Sequence, residues 1–186
     1  MKIKLFLQIA LITMALYSCE TATKPNEATT ASVVTQGSGQ SGVKDNDSQK
    51  DIVKVASGSK DHTTLVAAVK AADLVNALSN AGPFTVFAPT NAAFDKLPAG
   101  TVEGLLKEDK IADLQNILEY HVSIGVFKTD MLQDGQSIGQ VNGKNITITK
   151  KDGKLVVNGT ANIVASIPAS NGIIHVIDGV LLPTDK

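Results

Sequence analysis

The stretch Gly82-Pro-Phe-Thr-Val-Phe-Ala-Pro-Thr-Asn-Ala-Ala-Phe-Asp-Lys-Leu-Pro98 changes character halfway along. Phe84 to Phe87 places bulky, strand-favouring residues in succession, and Pro89-Thr90-Asn91 then breaks the run before an alanine-rich segment. Such a corner reads as a buried strand feeding a short helix over 92–96. Thr90 or Asn91 supplies the helix cap, and Pro89 restrains Ala88 to an extended shape. The polar residues gathered here are therefore expected to hold the fold rather than a partner.

Working outward, Asp61 or Thr63 is placed to cap a helix carrying Leu65, Val66 and Val69, and Asp73 a second one carrying Leu74, Val75 and Leu78. A short helix over 101–106 and a longer one with Ile111, Leu114, Ile117 and Leu118 on one face follow the corner. After Gly135 the apolar period shifts to two. Ile146 and Ile148, then Leu155 and Val157, alternate with polar residues, while 163–167 and 173–177 read as more deeply buried strands. Asn-Gly and Asp-Gly pairs at 142, 152, 158, 171 and 178 punctuate the strands as tight turns. The expected class is α+β, with helices packed on an antiparallel region that the strand Phe84–Phe87 must join to find backbone partners.

The N-terminal part has a different composition. Lys2 and Lys4 precede the apolar run 5–17, too short for a membrane span and laid out like a secretory signal. Cys19, the single cysteine, ends that run in Leu16-Tyr17-Ser18-Cys19, which resembles a bacterial lipobox. This predicts a signal peptide over 1–18, lipid attachment at Cys19 and a bacterial membrane lipoprotein at the outer membrane or cell surface. Residues 20–49 are rich in Thr, Ala, Ser, Gly and Asn without apolar periodicity, so they cannot offset the entropy of ordering. They are expected to form a flexible tether spanning about 30 Å. The domain then occupies 50–186.

All 17 basic residues are lysines, and the net charge is −1 for the whole chain. Removing 1–18 takes away Lys2 and Lys4, leaving 15 lysines against 18 acids, a net charge of −3. With no arginine fork and no basic field, a nucleic-acid partner is not expected.

At this point two motifs stand out together. Phe84-Thr-Val-Phe-Ala-Pro-Thr-Asn-Ala-Ala-Phe94 and Asn171-Gly-Ile-Ile-His-Val-Ile-Asp-Gly-Val-Leu-Leu-Pro183 resemble the two signatures of the fasciclin domain, and Leu118-Glu-Tyr-His-Val122 is similar to its tyrosine-histidine element. The resemblance covers 50–183. It implies a β-wedge or sandwich packed on helices, with the signatures adjacent in space, and a role in adhesion through a protein or glycan ligand at the cell surface. No enzyme mechanism and no cofactor are implied. Thr85, Pro89, Thr90, Asn91, His121, Asn171, Gly172, His175 and Asp178 are carried over as mainly structural motif residues, and Tyr120, His121 and Ile167 as candidate partner contacts. In animal members an Asp-Ile pair near the second signature is linked to integrin binding. Here that position reads Ser166-Ile167, without the acid.

Other patterns are weaker. Gly135-Gln-Ser137-Ile-Gly139 matches the nucleophile-elbow spacing of a serine hydrolase, yet turn residues precede Ser137 and strands follow it. Gly37-Ser-Gly-Gln-Ser-Gly42 has dinucleotide-loop spacing without the strand and helix that such a loop needs. Asp45-Asn-Asp47 begins like a calcium loop but has Lys50 where the turn glycine belongs. His62, His121 and His175 lack metal-ligand spacing. For His121 the reading is a neutral imidazole near a helix end, its nitrogens holding backbone groups; for Tyr120 it is a half-buried anchor. Asn145-Ile-Thr147 and Asn158-Gly-Thr160 fit the glycosylation sequon of eukaryotes. A small-molecule module is the remaining alternative, requiring an enclosed apolar pocket.

Overall fold

A computed structural model of the chain describes residues 49–183. The signal, Cys19, the two loop-like patterns at 37–42 and 45–47 and nearly all of the tether lie outside the described residues, as do 184–186.

Six α-helices and seven strands, with short 3-10 turns at Lys60–His62 and Glu108–Lys110, make up the described part: α1 Ile52–Ser57, α2 Thr63–Ala71, α3 Val75–Ser79, β1 Phe84–Pro89, α4 Asn91–Phe94, α5 Thr101–Leu105, α6 Ile111–Glu119, β2 Val122–Ile124, β3 Ser137–Gly139, β4 Asn145–Lys151, β5 Lys154–Val157, β6 Ala161–Ala169 and β7 Gly172–Ile177. The class is α+β. The strands form one sheet in the order β2-β1-β7-β6-β5-β4-β3. Its two ends curl towards each other, since the Val141 amide donates to the Val122 carbonyl at 2.8 Å.

The sheet is antiparallel apart from one pair, which lies inside it between β2 and β6. β1 runs parallel to β7, Phe84 beside Gly172 through Pro89 beside Ile177. Parallel neighbours need a long crossover, supplied here by the whole of 90–171. The two signature motifs are thus hydrogen-bonded neighbours. They start in close contact: the Phe84 amide donates to the Asn171 carbonyl at 3.0 Å. A Cβ at Gly172 would collide with the Phe84 carbonyl, and one at Gly82 with that of Asn171.

Alternation along the strands makes two apolar cores. Val86 and Ala88 of β1 with Ile174 of β7 face the helices, where Ile52, Leu65, Val69, Leu114 and Leu118 pack on them. Phe87 and Ile177 face the inside of the curl with Leu132, Ile138, Ile146, Ile148, Val157 and Leu181.

The helix starts depart from sequence expectation. α1 has too little sequence for a clear period, but Asp51 caps it by accepting the Lys54 amide at 2.8 Å. Neither Asp61 nor Thr63 caps α2: Thr63 is already its first residue, and His62 before it makes no side-chain cap bond. Asp73 does not cap α3 either. It sits at φ 55, ending α2 in the left-handed conformation while the Leu74 amide reaches back to the Val69 carbonyl at 3.0 Å. At the corner after β1, Thr90 caps α4 by accepting the Ala93 amide at 3.3 Å. Asn91 turns away from its own helix. Its Oδ1 accepts the Thr64 amide at 3.1 Å and its Nδ2 donates to the Lys60 carbonyl at 2.9 Å, so it caps α2 from across the fold.

Candidate functional site

The motif residues are assembled by the β1-β7 pairing, and their polar atoms are turned towards backbone. Thr85, fully buried, donates its hydroxyl to the Gly125 carbonyl at 2.7 Å and accepts the Phe127 amide at 3.0 Å. His175 on β7 holds the same loop: its Nε2 bonds the Phe127 carbonyl at 2.6 Å. A carbonyl only accepts, so the proton is on Nε2, and Nδ1 accepts the Ser166 hydroxyl at 2.7 Å. Burial moves the His175 pKa below its ordinary value, keeping the ring neutral. Residues 125–127 are thereby pinned across β1 and β7.

His121 follows α6 and is buried. Leu181 donates its amide to Nε2 at 3.0 Å, so Nδ1 carries the proton and donates to the Ile117 carbonyl at 2.8 Å. Burial lowers its pKa to about 4, outweighing the opposing effect of the Ile117 bond. Asn171 uses all of its amide: Oδ1 accepts the Ile52 amide at 3.0 Å, and Nδ2 donates to the Leu78 and Asn80 carbonyls, both at 2.8 Å. Asp178 accepts from the Asn162 amide at 2.7 Å and from its Nδ2 at 2.8 Å. Its desolvation is outweighed by these bonds and by Lys96, and its pKa lies below the ordinary value.

Two of the candidate partner contacts are corrected by burial. Tyr120 and His121 are each 3% exposed, which leaves neither with a face broad enough for a protein partner. The Tyr120 ring packs in the second core, while its hydroxyl donates to the Asn145 carbonyl at 3.0 Å and accepts from Asn158 Nδ2 at 2.9 Å. Ile167 is half-buried against the first core.

The nucleophile-elbow geometry does not form at Ser137. It opens β3, a strand paired with β4, and no helix follows it. Both ring nitrogens of His175 are engaged by Ser166 and Phe127. His62 is buried, with Nδ1 on the Ser59 hydroxyl at 3.0 Å and Nε2 unpartnered. Among the described residues no group of three His, Cys, Asp or Glu is placed to hold a metal ion, and no helix is long and apolar enough to cross a membrane. Two apolar cavities lie beside the first core, each of about 30 Å³, far below the volume of a ligand site.

What the fold leaves open lies elsewhere. β6 is nine residues long, yet β5 pairs only with Ala161 and Asn162 of it, while β7 pairs along Ile163–Ala169. Among the described residues nothing pairs with the other edge of 164–169. Val164, at a register irregularity, is 58% exposed, and Ala165, Ser166 and Pro168 are exposed beside it. The sequence marked Ile167 as a candidate partner contact and Ser166 for the missing acid, without indicating an open strand edge. Edge exposure depends on where β5 stops, which no local pattern records.

The second open feature is a groove of about 740 Å³ between the outer face of β4, the turn 158–160 and the segment 180–182. Both sequon-like triplets line it. The alternation Asn145, Thr147, Thr149 was a legible signal for a polar outward face, though not for the concavity.

The fasciclin domain profile matches residues 60–183. The protein sll1483 of Synechocystis sp. is 54% identical over 137 residues, covering 74% of this chain and 76% of that protein. The cell surface glycolipoprotein MPB83 of Mycobacterium bovis is 38% identical over 111 residues, covering 60% of this chain and 48% of its own length. Among solved structures, a FAS1 domain pair from the insect cell adhesion molecule Fasciclin I aligns with a TM-score of 0.64 at 21% identity, over 72% of this chain and 51% of that one.

Proposed function

The chain belongs to the fasciclin domain family, and on that premise we propose that it is an exported, lipid-anchored bacterial envelope protein whose domain binds a partner in adhesion at the cell surface. The observation that carries the binding role is the uncovered edge of β6. Unpaired main-chain donors and acceptors along 164–169 take an extended segment of a partner protein as an added strand. The irregularity at Val164 and the missing N–H of Pro168 interrupt that edge, so an added strand pairs over a short stretch only.

The inward commitment of Thr85, His121, Asn171 and His175 supports binding over catalysis, because each spends its polar atoms on backbone or on Ser166. Anchoring at Cys19 is supported by the signal-like run before it and by the kinship with a protein named as a cell surface glycolipoprotein.

Cells making the wild type or Cys19→Ala, fed a clickable fatty acid, test the anchor; equal labelling of both proteins removes it. Beads carrying the wild-type or Val164→Lys chain, passed over sibling cells and matrix proteins, test the edge. Wild-type beads are retained and Val164→Lys beads are not, with unchanged melting; equal retention of the two moves the contact away from β6.

A further inference from the structure

We propose that the groove floored by β4 and walled by 158–160 and 180–182 is a second binding site, for a neutral oligosaccharide. It is distinct from the β6 edge and does not depend on it. Its volume of about 740 Å³ falls within the range of about 300–1,000 Å³ typical of ligand sites.

The lining decides the class of ligand. It consists of Asn, Thr, Tyr, Gly, Val and Leu residues, without a charged side chain. A phosphate, carboxylate or ammonium entering it would give up water and find no counter-charge, a loss that disfavours ionic ligands. Amides and hydroxyls both donate and accept, and so do sugar hydroxyls, which makes the two inventories complementary. Val180 and the half-exposed Leu182 offer aliphatic surface to the C–H face of a sugar ring.

The polar wall is fixed in advance. Asn158 is held at φ 52; its Oδ1 accepts the Thr147 amide at 2.9 Å and its Nδ2 donates to the Tyr120 hydroxyl at 2.9 Å. That hydroxyl in turn donates to the Asn145 carbonyl. An amide so held keeps one N–H and one lone pair for a ligand, and little side-chain entropy remains to be lost on binding. Asn145, Thr147 and Thr149 recur every second residue on the outer face of β4, setting side chains about 7 Å apart along the groove. A linear chain of sugars laid along β4 meets them in succession.

The test uses the full mature chain. Maltohexaose, cellohexaose, laminarihexaose and chitohexaose are titrated by NMR against the wild type, Thr147→Glu and Thr160→Glu, with oligogalacturonate as the anionic comparison. At least one neutral hexasaccharide is expected to bind in the millimolar range, with shifts confined to 145–149, 158–160 and 180–182. Each glutamate variant weakens it by about tenfold or more, corresponding to about 1.4 kcal/mol, with melting unchanged. The proposal is overturned if none of the four sugars shifts these residues, if oligogalacturonate binds equally well, or if both variants bind as the wild type does. Concentration-dependent dimerisation abolished by the same variants also overturns it, since a second copy would then be the occupant. Loss of bead retention in Val164→Lys leaves this outcome untouched, so the two sites fail separately.

Discussion

The side-chain oxygen of Asn91 accepts the Thr64 amide at 3.1 Å, and the two residues are 27 positions apart. The first turn of α2, which has no capping side chain of its own, is completed from the corner after β1.

Replacing Asn91 with Ala therefore costs about 1–2 kcal/mol, through loss of the cap at α2 and of the bond to the Lys60 carbonyl. Thr90→Ala costs about 1 kcal/mol and loosens α4 instead. Hydrogen exchange separates them: Asn91→Ala is expected to speed the Thr64 amide and Thr90→Ala that of Ala93. The same amide responding to both substitutions contradicts the assignment.

Stability is expected to fall in mild acid. All three histidines have their pKa lowered mainly by burial, His121 to about 4. The unfolded chain, with histidines near 6.5, binds more protons than the folded one between those values. The contribution is complete above about pH 6.5 and is lost as the pH falls towards 4; for His121 alone it amounts to about 3 kcal/mol. Urea midpoints at pH 7.5, 5.5 and 4.5 should decline in that order, and His121→Gln should flatten the decline. A constant midpoint over this range refutes the buried neutral state.

Asn171 offers a test by charge. Asn171→Ala leaves the Leu78 and Asn80 carbonyls without their donor and costs about 3 kcal/mol. Asn171→Asp keeps the acceptor for the Ile52 amide but sets a carboxylate against both carbonyls, and is expected to melt lower still. An aspartate variant as stable as the alanine one rules this geometry out.

Thr85→Val keeps the shape and deletes the hydroxyl, stranding the Gly125 carbonyl and the Phe127 amide at a cost of about 2 kcal/mol. Thr85→Ser should stay closer to the wild type. If Val proves the milder change, the hydroxyl is not what pins the loop.

How much of this was legible in the sequence depends on range. The alternation in 145–149 and the run 84–87 are short-range patterns, and they announced β4 and β1 directly. Gly153 and Gly159 stand at positive φ directly after Asp152 and Asn158, themselves left-handed, as their turn pairs suggested. By contrast, the parallel setting of β1 on β7, the cap that Asn91 lends to α2 and the burial of Tyr120 are decided by residues far along the chain. No window of a dozen residues contains them. The groove was hidden for the same reason, since β4, the turn 158–160 and 180–182 become its walls only when the sheet curls.

The place of β7 between β1 and β6 has a consequence for how the domain comes into being. Phe84 meets Gly172, 88 positions on, and the Leu181 amide closes on His121. A ribosome delivers β1 long before β7, and pairings across such separations form slowly. Until 172–181 have emerged, β1 lacks its β7 partner, Phe87 lacks Ile177 and Leu181 of its core, and His121 lacks the Leu181 amide. The second signature is thus the closing piece: the β1–β7 pairing, and with it the join between the two cores, waits for the segment 172–181.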